Sequence, residues 1–242
     1  MSVPTEIISA IIGAASGGGV VWVAHRQDVR RSRIQEVRNT LLQLLDLRQA
    51  TMGSRLSPAE SNLWMQRRAM LLAVAASQAD AAGRSLSTHD WLALAEECGK
   101  DHNFRDAFTY YERAVRRARR EDILAQVIAL RSFAAYRYNA GPQRDVVKGA
   151  LLYRTAVELT APGSDAYMQY LTGYTFTAWA RSSFFAQQDD WRGLIDEAKR
   201  LYAAAAPGYP PAHKSLEAVQ AAKHEWDHQQ ATSESLATDQ MD

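Results

Sequence analysis

The chain has 242 residues, 47% of them hydrophobic, and a formal charge of +1 from 28 basic and 27 acidic side chains. That is enough apolar material for a sizeable core, while the near-neutral balance excludes a strongly basic nucleic-acid binder, so no nucleic acid partner is expected. The single cysteine, Cys98, excludes an internal disulfide and any cysteine-based metal cluster, and it fits a reducing compartment.

The first element in chain order is the apolar stretch IISAIIGAASGGGVVWVA, residues 7–24, which holds 18 residues without a charge. As a helix it spans about 27 Å, close to the hydrocarbon thickness of a bilayer. Trp22 stands near one end, where an interfacial aromatic belongs. Arg26, Arg30, Arg31 and Arg33 follow, whereas only Glu6 precedes. By the positive-inside rule, residues 1–25 form a candidate single-pass membrane anchor that leaves the rest of the chain in the cytoplasm. Four glycines and two serines dilute the stretch, so a soluble arm docked on the rest of the protein is the competing reading. A secretory signal peptide fits worse, because no basic region comes first. Ser9, Gly13 and Gly17 recur at every fourth position, a seam of small residues through which two such helices approach closely in lipid. This seam makes a homo-oligomer an expectation.

Everything after the anchor reads as helix. Ile34, Val37, Leu41 and Leu44 step by three, four and three, predicting a helix over residues 28–49. Ser57-Pro58-Ala59-Glu60 then reads as a capping box with proline at the first helical position, opening a second helix to Ala82. The two fold back as an antiparallel hairpin, residues 26–83. Later breaks fall at residues 100–103, 141–144, 162–164, 187–190 and 207–211, and no run shows the alternation of a strand. A last helix is expected from Ala212 to about Gln229. The polar end, residues 230–242, lacks periodicity and is expected to be disordered.

The stretch STHDWLALAEECGKDHNFRDAFTYYERAVRRA, residues 87–118, carries a specific spacing. Trp91, Leu94 and Ala95 are followed by Ala107, Tyr111 and Ala114 in an A-x3-aromatic-x2-A arrangement, with Cys98 where a tyrosine would stand. This resembles the tetratricopeptide repeat, a helix–turn–helix with the pattern W-x2-L-G-x2-Y, A-x3-F, P. Gly149, Tyr153 and Ala156, with Pro162 after them, repeat the second half of the pattern. Ala198, Tyr202 and Ala205, with Pro210 after them, repeat it again. Small residues let helices approach, and each large side chain buried in the groove contributes ~1.5–3 kcal/mol. The resemblance implies an all-α solenoid of antiparallel helix pairs over residues 84–229, with a face that binds a protein or peptide partner. The two-lysine, two-asparagine clamp that some such proteins use for chaperone tails is not present. The flanking face carries His89, Leu92, Glu96 and Lys100 instead.

Several constellations have residue types suited to chemistry or binding. His224-Glu225-Trp226-Asp227-His228 matches the H-E-x-x-H zinc pattern, but only 14 residues follow. Glu234 is the nearest third ligand there, so a solvated terminal helix is expected and no metal or other cofactor. Arg113, Arg116, Arg117 and Arg120 fall on one helical stripe, suited either to solubility or to an acidic peptide, an anionic lipid or a phosphate. Tyr167, Tyr170, Tyr174, Phe176, Trp179, Phe184 and Phe185 crowd one long helix and read as packing. No phosphate loop, nucleophile elbow or dinucleotide fingerprint is present, so no enzymatic activity is expected. The sequence therefore points to a membrane-anchored interaction adaptor. The alternative is an oligomerising effector whose clustered N-terminal helices perturb the bilayer.

Overall fold

The computed structural model describes the backbone of residues 5–51, 55–139, 141–160, 165–188 and 190–239, and side chains from Gln27 to Thr232 within those ranges. Among the described residues the chain is all-helical, with no strand. It divides into two compact units, Met1–Leu94 and Ala95–Asp242.

The first unit holds α1 (Thr5–Thr51), α2 (Pro58–Ala82) and the start of α3 (Thr88–Lys100). The α1 helix runs unbroken through the expected boundary near residue 28, because no proline or glycine lies between Val20 and Thr51 to stop it. Ser57 caps α2 as expected: its hydroxyl accepts from the Glu60 amide at 3.3 Å, and its own amide donates to the Glu60 carboxylate at 2.8 Å. The helices pair antiparallel, since Trp64 donates to the Leu47 carbonyl, Thr40 to the Gln78 amide oxygen, and Arg33 to the Ala81 carbonyl. Val37, Leu41 and Leu44 are buried on α1, and Leu72, Ala75 and Ala79 on α2. A short 3-10 turn, Gly83–Ser85, leads to α3. Among the described residues no helix is long and apolar enough to cross a membrane. The side chains of the candidate span at 7–24, and with them Ser9, Gly13 and Gly17, lie outside the described ones.

The second unit continues through α4 (Phe104–Ala118), α5 (Ile123–Asn139), α6 (Val146–Thr160), α7 (Ala166–Phe185), α8 (Trp191–Ala205) and α9 (Pro211–Asp239). Polar caps begin several of these: Asn103, Asp122, Asp145 and Asp165 each accept from a backbone amide two or three residues on. Two helices end alike. His102 past α3 and Gln187 past α7 adopt φ of 59° and 57°. The next amide then reaches back to Cys98 in one case and to Ser183 in the other, each at 2.9 Å, closing the turn in a left-handed cap. Each helix from α4 to α9 packs on the next, and α5 also packs on α7. The α9 helix continues to Asp239 where a disordered tail was expected from residue 230. With neither proline nor glycine after Pro211, nothing interrupts propagation of a helix already nucleated.

Close approach sets the seams. A Cβ on Gly149 would stand 2.6 Å from the Tyr138 ring, and one on Gly173 would stand 3.1 Å from Tyr202. Tyr138, Tyr153 and Trp179 form one polar-tipped aromatic core, in which the Trp179 indole donates to the Tyr138 hydroxyl at 2.9 Å. Tyr153 and Ser182 share a hydroxyl–hydroxyl bond of 2.8 Å. Trp226 on α9 stacks on Phe184 at 4.9 Å and meets the edge of Trp191, fastening the last helix to α7 and α8.

Candidate partner-binding surface

The repeat-type residues are interior. Trp91, Leu94, Ala95, Ala107, Tyr111, Ala114, Tyr153, Ala156, Ala198, Tyr202 and Ala205 are all buried. They hold helices together and offer no recognition surface, Tyr111 excepted at its hydroxyl end. Of the flanking group, His89 and Glu96 are exposed while Leu92 is buried, its position on α3 turning it inward. Cys98 is buried too.

Of the expected arginine stripe, Arg113, Arg116 and Arg117 lie on α4, whereas Arg120 falls in the turn after the helix ends at Ala118. Arg117 pairs with Glu121 at 2.8 Å, Arg116 approaches Glu112 at 3.9 Å, and Arg113 lies over the Tyr110 ring at 5.4 Å. Arg116 and Arg120 are exposed. The Arg116–Glu112 pair joins two exposed side chains and is worth ~0–1 kcal/mol.

On α9, His224, Glu225 and His228 are exposed, and Asp227 pairs with Arg192 at 2.8 Å. Among the described residues no group of three His, Cys, Asp or Glu side chains could hold a metal. The aromatics of α7 are divided. Trp179 and Phe184 join the core clusters, whereas Tyr167, Tyr174 and Phe185 remain exposed. The Arg131 guanidinium lies 4.2 Å from the Tyr174 ring centre.

An open cleft of about 440 Å³ lies where α3, α4 and α5 meet. The end of α3 contributes Glu96, Gly99 and Lys100, α4 contributes Phe104 and Tyr111, and α5 contributes Ser132, Tyr136 and Asn139. Gly99 faces Ala107 and Tyr136, each 3.9 Å from where its Cβ would stand. Tyr136 donates to the Phe104 carbonyl at 2.6 Å, so its ring is fixed as one wall. Lys100 binds the buried Glu97 at 2.7 Å. Glu96 and Lys100 stood out in the sequence as flanking residues. Ser132 and Asn139 did not, because α5 is apolar around most of its circumference and gives no periodic signal that marks one side.

No family model, curated protein or solved structure matches this chain.

Proposed function

We propose that this chain is a membrane-anchored adaptor that recruits a protein or peptide partner through its helical repeat-like unit. The observation that carries the reading is the cleft between α3, α4 and α5, which is built on a rigid stack of buried small and aromatic residues. A packed scaffold presenting an open groove with mainly apolar walls and a few polar groups suits binding. The tetratricopeptide-like spacing of Trp91, Leu94, Ala95, Ala107 and Tyr111 supports the same use, since helix pairs of that kind present a groove to an extended segment. The anchor is assigned to residues 7–24 on their length, lack of charge and flanking arginines.

The test is flotation of the full chain with lipid vesicles, beside a variant carrying Ile11→Asp and Val21→Asp. The full chain is expected to float with the vesicles and to resist carbonate extraction, and the variant to stay at the bottom of the gradient. Recovery of the full chain as a soluble monomer overturns the anchor.

A further inference from the structure

The cleft between α3, α4 and α5 selects one kind of ligand by its unspent polar groups. Tyr111 is only 6% exposed. Among the described residues nothing bonds its hydroxyl, although the residue lines the cleft. The hydroxyl is the end of this side chain that opens on the cleft, so a ligand seated there can bond it. Burial, and next the Glu96 carboxylate, raise its pKa, so the hydroxyl keeps its proton. Glu96 itself is exposed, and among the described residues it has neither an ion-pair nor a hydrogen-bond partner.

Its neighbour contrasts with it. Glu97 is 3% exposed and takes the Lys100 ammonium at 2.7 Å. The charge of Lys100 is thereby spent within α3. Of the two charged side chains that line the cleft, Glu96 is therefore the one whose charge no ion pair meets among the described residues. The Asn139 side-chain amide donates to the Ala135 carbonyl at 2.8 Å, which leaves its oxygen as an acceptor. The Phe104 and Tyr136 rings supply apolar walls.

An anionic ligand meets the unpaired Glu96 carboxylate unfavourably. A neutral apolar one leaves Tyr111 and Glu96 unsatisfied. A cation on an apolar stem satisfies both, through a charge-assisted bond to the carboxylate and attraction to ring faces. We infer that this cleft takes a lysine or arginine side chain of a partner polypeptide, with Glu96 as counter-charge and Tyr111 and Asn139 as hydrogen-bond partners. The assignment of a polypeptide as the source of the cation rests on the adaptor role proposed above.

The experiment titrates isotope-labelled full-length protein with the peptide acetyl-Ala-Ala-Arg-Ala-Ala-amide and follows backbone amide shifts. Parallel titrations use the same peptide with citrulline or glutamate at the centre, and free arginine. The arginine peptide is expected to bind in the millimolar range or tighter and to move the amides of Glu96, Ser132 and Asn139, while the citrulline and glutamate peptides do not. Glu96→Gln should weaken it about tenfold. Tyr111→Phe should weaken it several-fold, and Glu112→Gln, on the outer side of α4, should leave it unchanged. Glu96 is exposed, so its variant keeps the fold, which far-ultraviolet circular dichroism checks. Equal binding of the citrulline peptide, preference for the glutamate peptide, shifts confined to residues 113–120, unchanged affinity in Glu96→Gln, or no shifts at all each overturn the inference. Equal affinity for free arginine overturns the polypeptide source. Binding of the glutamate peptide with successful vesicle flotation would sink this inference and leave the adaptor reading standing.

Discussion

Arg38 on α1 grips Asp90 at the start of α3 with two hydrogen bonds, of 2.9 and 3.1 Å. The same carboxylate caps α3, accepting from the Ser87 amide at 3.0 Å and the Ser87 hydroxyl at 2.7 Å. Burial works against its ionisation. The bonds from Arg38, then those from Ser87, outweigh that cost and hold its pKa below the usual carboxylate range. One side chain therefore starts a helix and ties it to another 52 residues away. Asp90→Ala removes both functions and is expected to lower the free energy of unfolding by ~2–3 kcal/mol. Arg38→Ala costs less, because half of that side chain faces solvent. Chemical denaturation of the two variants checks the order.

The acid limb follows from the same carboxylate. A group whose folded pKa is depressed contributes stability that is present above its unfolded value and lost as pH falls through the folded one. Asp90 and Glu197 are both lowered, so unfolding free energy should begin to fall below about pH 4. Asp90→Asn should flatten that decline. An unchanged acid limb in the variant would show that Asp90 carries none of it.

The alkaline limb has the opposite sign and a different cause. Burial pushes Tyr153 and Tyr202 up to about 12, partly offset by hydrogen bonds with Ser182 and Thr177 respectively. Their contribution is complete below the unfolded value of about 10 and is lost as pH rises through about 12. Tyrosinate absorbance should therefore show a late-ionising group of tyrosines that coincides with loss of helical signal. Ionisation of every tyrosine near pH 10 with the fold intact would contradict it.

Two glycines in helices should answer alanine in opposite ways. At Gly149 a Cβ would sit 2.6 Å from the Tyr138 ring and 3.2 Å from the Ala134 carbonyl. Gly149→Ala is expected to destabilise by ~1–3 kcal/mol by forcing α5 and α6 apart. Gly193 on α8 has nothing within 4 Å of the same position. Gly193→Ala should stabilise by about 0.5 kcal/mol, from lower backbone entropy in the unfolded chain. Paired thermal melts decide both.

Trp226 is the side chain that fastens α9. Trp226→Ala should cost ~3–5 kcal/mol or release the helix locally, which hydrogen exchange over residues 211–232 would reveal. His224→Ala, two residues earlier but exposed, should stay within ~0.5 kcal/mol of the parent. A large effect of His224→Ala with little from Trp226→Ala would reverse the account of this helix.

The helices and their breaks were legible because they depend on neighbours in the chain. The capping box at Ser57 and the breaks after Lys100 and Thr160 are local chemistry, and so is the stripe of Val37, Leu41 and Leu44. The small-x3-aromatic spacing likewise marked residues that are all interior. The cleft was legible only in its α3 edge. Ser132 and Asn139 sit on α5, whose apolar residues surround most of the helix, so periodicity gives no bearing on which side faces a neighbour. Leu92 shows the same limit in reverse, expected on a flanking face and found buried.

The sequence by itself determined an all-helical chain, where most helices stop, and which small residues sit in the seams, since backbone hydrogen bonding and capping act over three or four positions. Tertiary structure alone decided that Arg38 meets Asp90, that Gly149 meets Tyr138, and that Tyr111 ends in a cleft beside Glu96. Each residue along a helix turns the side chain by about 100°, so small differences in crossing angle and rotation change which side chains meet across a seam, and those angles are fixed only when all the helices pack at once.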